Sequence, residues 1–142
     1  MEFTNSITIC RPRDEVFAYL SEFENLPTWN YAISRTSRVG TGPVGVGARY
    51  LQTRTLPKPA EETFEVIVFA PPDQLAIRGV LGPFRADSSY LLESDRDATV
   101  LTNSMVLEAT GVMRVAASLA GSRVRTAVAA NLQVLKELLE RQ

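Results

Sequence analysis

Residues 111–142 read GVMRVAASLAGSRVRTAVAANLQVLKELLERQ, with no proline and, after Gly111, a single glycine. A helix of about 30 residues is about 45 Å long, well beyond the ordinary globular helix. Turned through 100° per residue, the stretch puts Met113, Ala116, Ala117, Ala120, Val124, Val128, Leu135 and Leu139 on one side, with Arg114, Ser122, Arg125, Lys136 and Glu140 opposite. One face is therefore buried along its whole length. Something broad has to cover it, and the rest of the chain must supply that surface.

The preceding segment does so. Strands are expected at 32–39, 47–56, 61–70, 74–81, 84–94 and 98–109, separated by the turn signals TGPVGVG, LPKPAE, APPD, LGPF and SDRDAT. Connections this short make antiparallel hairpins. Ahead of them EFTNSITIC alternates at Phe3, Ile7 and Ile9 as a first strand and runs into a helix, PRDEVFAYL, over 12–20. A second short helix is expected over 22–26, ended by Pro27, because proline disfavours helical geometry in the residue before it. The sum is one α+β domain over 1–142: a seven-stranded antiparallel sheet, two short helices between strands 1 and 2, and a long helix across the sheet.

Composition narrows the chemistry. Fifteen basic and sixteen acidic residues nearly cancel, so no strong positive field favours nucleic acid. The absence of histidine removes the commonest general base, the commonest metal ligand and every Ser/His or Cys/His nucleophile. The single cysteine, Cys10, has no disulfide partner in the chain and is expected as a small core residue. Without a membrane-length apolar run or a leader-like N-terminal stretch, the chain reads as cytoplasmic. The GTGPVGVG loop lacks the Gly-Lys-Ser/Thr of a phosphate cradle and precedes a strand, so it is a turn.

The order of elements, the Pro12 helix start, Asn25-Leu26-Pro27 with Trp29-Asn30, Gly45-Val46-Gly47 before a strand, Pro71-Pro72 between strands and the Leu-rich terminal helix together resemble the START-like (SRPBCC) superfamily, specifically its small bacterial polyketide cyclase/dehydratase and lipid-transport members. That resemblance implies a helix-grip fold: a bent sheet wrapped around the long helix, with a cavity between them that opens near the short helices. It implies an apolar or aromatic ligand of lipid, polyketide or quinone type; no cofactor, nucleic acid or membrane span is expected. It also admits a cyclase or dehydratase using the same cavity, and an interaction module of the chaperone-activator type. Val115 and Leu119, on the outer helix face, are the candidates for a partner or homodimer contact.

Strand parity selects the residues that would line such a cavity. Phe84, Ser88 and Tyr90 share one face of their strand, and Leu101, Asn103, Met105 and Leu107 share one face of the next. Tyr50 and Gln52 are expected inward, as are Phe64, Val66 and Val68. On the long helix, Met113, Ala116, Ala120 and Val124 form a small-residue half that leaves room, whereas the leucine half fills its space. Tyr90, Asn103 and the helix-borne Asn131 either orient a ligand or satisfy structural hydrogen bonds. Trp29 is either a staple closing the short helices onto the long one or a residue of the cavity rim. The directions of Arg54 and Arg78 stay open, and Glu61-Glu62 is expected in a solvated turn.

Overall fold

The structure, a computed structural model, describes residues 1–81, 84–109 and 121–142 in full, and 114–120 as helical backbone. The elements run β1 (Glu2–Ile9), α1 (Arg13–Ser21), a 3-10 turn (Phe23–Asn25), α2 (Leu26–Trp29), β2 (Ile33–Val39), β3 (Arg49–Arg54), β4 (Ala60–Ala70), β5 (Gln74–Leu81), β6 (Phe84–Asp95), β7 (Ala98–Ala109) and α3 (Arg114–Glu140). The seven strands form one antiparallel sheet in the order β1-β7-β6-β5-β4-β3-β2. From β2 to β7 the chain is a meander; β1 closes onto β7, and the short helices carry it from one sheet edge to the other. The sheet is bent around α3, as a helix-grip requires.

Gly79 lies opposite Phe64 in the register of β4 and β5. A Cβ there would come within 2.6 Å of the Phe64 Cβ and 2.5 Å of the Thr63 carbonyl oxygen. Only glycine permits so close an approach of the two strands on their concave side. The neighbouring irregularity is a bulge between Val66 and Val68. It reverses the inward parity, so that Phe69, not the expected Val68, turns to the core and meets Phe17 edge-on at 5.5 Å.

The concave face packs in two apolar clusters. The larger joins Ile9, the buried residues of α1 and α2, Leu75, Leu92 and Leu101 to Leu132, Leu135 and Leu139 of α3. The smaller contains Phe3, Phe84, Met105 and Leu107, with Val124 and Val128 packed against it.

Two further expectations change. The second helix is not ended by Pro27: a 3-10 turn covers 23–25, and Pro27 sits in the opening turn of α2, where its missing N–H has no helical partner to lose. Cys10 is exposed, because β1 ends at Ile9 and the chain turns outward, its Cys10 N–H donating to Glu140 Oε2 at 2.8 Å.

Candidate functional site

Between the two apolar clusters the concave face carries a polar seam. Asn103, flanked on β7 by Leu101 and Met105, is fully buried and stands between Tyr90 on β6 and Asn5 on β1. Its Nδ2 donates to Ser88 Oγ at 2.9 Å and to the Ser89 carbonyl at 3.1 Å. Its Oδ1 has no partner among the described residues. Burial pushes the Tyr90 phenol above its ordinary pKa, opposed by a hydrogen bond with Ser88, so the phenol is neutral near pH 7. On α3, Asn131 is buried too, and its Oδ1 has no partner among the described residues. An unpaired buried amide oxygen costs about 1–3 kcal/mol. Each is an acceptor left open to a hydrogen-bond donor.

A second polar group lies at the other end of the sheet. Tyr50, Gln52 and Arg54 of β3 all face inward, opposite Phe64, Glu62 and Ala60 of β4. Arg54 Nε donates to both Glu62 carboxylate oxygens at 2.9 Å, and Gln52 Nε2 donates to Glu62 Oε1 at 2.9 Å. The pair is sealed, with side-chain exposures of 8% and 3%. Glu62 is thus no turn residue: it shares parity with Phe64 and stands across from Gln52, the signal that could have found it. Arg54 points in, whereas Arg78 points out and pairs with Asp87 at 2.8 Å.

Beside this pair the Tyr50 ring stacks on Phe64 at 5.2 Å, and Phe23 of the 3-10 turn packs edge-on against both. The rings are core. The Tyr50 hydroxyl, however, has no hydrogen-bond partner of adequate geometry among the described residues, although Arg38 lies over the ring at 5.6 Å from its centroid. Burial, helped by Glu24, raises the Tyr50 phenol pKa, against the opposing pull of Arg38. Thr36 Oγ1 is buried in the same region without a partner among the described residues.

Of the expected lining, the structure buries Tyr50, Gln52, Phe64, Phe84, Ser88, Tyr90, Asn103 and Met105 on the concave side, and half-buries Val124. Trp29 is 5% exposed within the larger apolar cluster, the position of a staple. Met113 lies outside the described residues, and so do the side chains of Ala116, Ala120, Val115 and Leu119. Near the link between α2 and β2, Tyr31 and the α3 residues Arg123, Thr126, Ala127 and Ala130 border an open groove of about 350 Å³. Among the described residues no cluster of three His, Cys, Asp or Glu is placed to hold a metal ion. No described helix is long and apolar enough to cross a membrane.

By sequence, the model of a family described as polyketide cyclase/dehydrase and lipid transport matches residues 1–140. No curated protein matches the chain. Among solved structures, TTHA0849 from Thermus thermophilus superposes with a TM-score of 0.82 at 15% identity, covering 99% of this chain and 98% of that one. The di-domain aromatase/cyclase StfQ of the steffimycin biosynthetic pathway gives 0.82 at 15% identity, over 99% of this chain and 50% of its own. The ZhuI aromatase/cyclase from Streptomyces sp. R1128 gives 0.80 at 15% identity, over 99% and 94%. Likeness at such identities shows the fold.

Proposed function

Since the chain belongs to the polyketide cyclase/dehydrase and lipid-transport family, we propose that it binds an apolar, oxygen-bearing small molecule between the concave sheet face and α3. The observation that carries this reading is a pair of buried amide oxygens without a partner among the described residues: Asn131 Oδ1 on α3, and Asn103 Oδ1 on β7, where Leu101 of one apolar cluster and Met105 of the other flank it. A purely structural core pairs its amides; a binding site leaves a few acceptors for the ligand and takes its affinity from the apolar surface around them. A lipid, polyketide or quinone bearing hydroxyl groups matches that pattern.

The test is native mass spectrometry of the purified protein, followed by solvent extraction and a titration with hydroxylated naphthoquinones and fatty acids. Saturable binding to the native chain is expected, with at least tenfold weaker binding by Asn103→Leu, one lost hydrogen bond being worth about 1.4 kcal/mol. Equal affinity in the two proteins would overturn the assignment of the seam.

A second reading is supported by the Arg54–Glu62 pair, two ionisable groups in hydrogen-bond contact on the inward face. A guanidinium polarises a carbonyl and a carboxylate accepts an α-proton, the two tasks that ring closure of a poly-β-keto chain demands. Under this reading the protein closes a short poly-β-keto thioester by aldol addition of an α-carbon to a carbonyl, whose oxygen then leaves as water as the ring enolises; the reaction is followed by the absorbance of the aromatic product. Glu62→Gln should abolish turnover while the folded protein still binds substrate, the loss of one charge of the buried pair also lowering stability.

A further inference from the structure

The outer face of the sheet carries an ordered row that the concave site does not use. Across six neighbouring strands, register sets Val39, Arg49, Glu65, Arg78, Asp87 and Val106 side by side. At about 4.8 Å per strand the row is about 24 Å long. Over these six strands its pattern is apolar, plus, minus, plus, minus, apolar; the seventh, β1, adds Glu2 beyond Val106, past the edge of a facing copy. Read in the opposite direction, the apolar ends are kept and every charge changes sign.

Such a row is complementary to itself. A two-fold axis lying in the contact plane, parallel to the strands and between β4 and β5, reverses the row of a second copy. Arg49 then meets Asp87 of that copy, Glu65 meets Arg78, and Val39 meets Val106, each contact occurring twice, as an isologous interface requires. The flanking rows do not oppose it. On one side Leu51 comes to face Arg85 and Ser37 to face Glu108; on the other, Val68, Ala76, Ser89 and Ser104 are uncharged. No like charges meet. A rotation of about 30° between packed sheets keeps the central pairs together and lets the ends diverge.

The surface is also unusually apolar for a solvated sheet face. Of the ten exposed large hydrophobic residues among those described, Val39, Leu51, Val80, Leu91 and Val106 lie on it. Between the charges the face dips into a depression of about 610 Å³ bordered by Thr63, Glu65, Arg78, Val80, Arg85 and Asp87, space for side chains of a facing copy. Isolated surface ion pairs contribute little to stability, which leaves the alternation of sign free to serve recognition.

We propose that the chain forms a two-fold homodimer through this outer face, with the Arg49–Glu65–Arg78–Asp87 row of one copy pairing antiparallel with the same row of the other. The concave sites point away from the interface and stay open to ligand.

Sedimentation equilibrium is the test. The native chain should approach twice 15.6 kDa with rising concentration, and the association should weaken with salt. Glu65→Arg and Arg78→Glu, each alone, place like charges at the axis and should be monomeric. Mixed in equal amounts they restore every pairing, so the mixture should regain the dimer. A native chain that stays monomeric throughout would overturn the proposal, as would single variants that still dimerise or a mixture that does not. Should either variant fail to fold, dilution of the native protein remains decisive: methyl resonances of Leu51 and Val80 should shift, while those of Val46 and Val134 should not. Shifts confined to Val134, on α3, would place the contact elsewhere and refute this one.

Discussion

Replacing Arg54 by Met removes the guanidinium that holds the Glu62 carboxylate at 2.9 Å inside the sheet. With the two side chains 8% and 3% exposed, water cannot take its place. Leaving one member of a buried pair costs about 3–5 kcal/mol, whereas replacing both by apolar groups of similar volume is often neutral. For a chain of this length about 1 kcal/mol lowers Tm by about 3 °C, so Arg54→Met should lose about 10–15 °C. Arg54→Met with Glu62→Leu should recover most of it. Urea denaturation followed by Trp29 fluorescence is the assay, since the single tryptophan is buried in the main cluster and reports global unfolding. A cost below about 1 kcal/mol for Arg54→Met would mean that the pair behaves as a solvated surface bridge, and the reasoning fails. The double variant does more: stable protein that has lost ligand or turnover would show that the pair serves the site rather than the fold.

Gly79→Ala, whose Cβ would collide with the Phe64 Cβ and the Thr63 carbonyl, should cost about 1–3 kcal/mol in urea; Gly45→Ala, which meets open space, should be neutral or slightly stabilising. The raised phenol pKa of Tyr90, due to burial, means that above pH 10 the unfolded chain ionises before the folded one. Stability should therefore be complete below that pH and fall as pH rises through the folded pKa, and Tyr90→Phe should flatten the fall in stability measured by denaturant titration at alkaline pH. Glu140 has the opposite sign: Lys136 and the Cys10 N–H hold its carboxyl below the usual range. Its contribution is present at neutral pH and lost as pH falls, so Glu140→Gln should show a shallower acid unfolding limb.

Hydrophobic period and turn residues made the elements legible, because strands and helix here are amphipathic in the ordinary way. The terminal helix, all six strands after residue 32, and the inward direction of Tyr50, Gln52, Ser88 and Asn103 follow from the pattern. What escaped it depended on neighbours in space. Glu62 reads as solvated because carboxylates are rarely buried, yet its parity with Phe64 pointed inward and Arg54, eight residues earlier, neutralises it. Phe69 replaces Val68 because a bulge alters parity without leaving a mark in the residue types. Pro27 reads equally as a stop or as an opening turn. The outer charge row is invisible until the register aligns six separate strands.

The pairing of β1 with β7 also has a kinetic side. Phe3 waits for Met105, and Ile7 for Leu101, about a hundred residues further along the chain. At about 5–20 residues per second on the ribosome that delay is about 5–20 s. During it the meander β2 to β6 can zip up through neighbouring hairpins, while the apolar side of β1 has neither its strand nor α3 to cover it. Such long loop closure slows the final step of folding. It makes the first nine residues the stretch for which a nascent-chain chaperone has both the motive and the time.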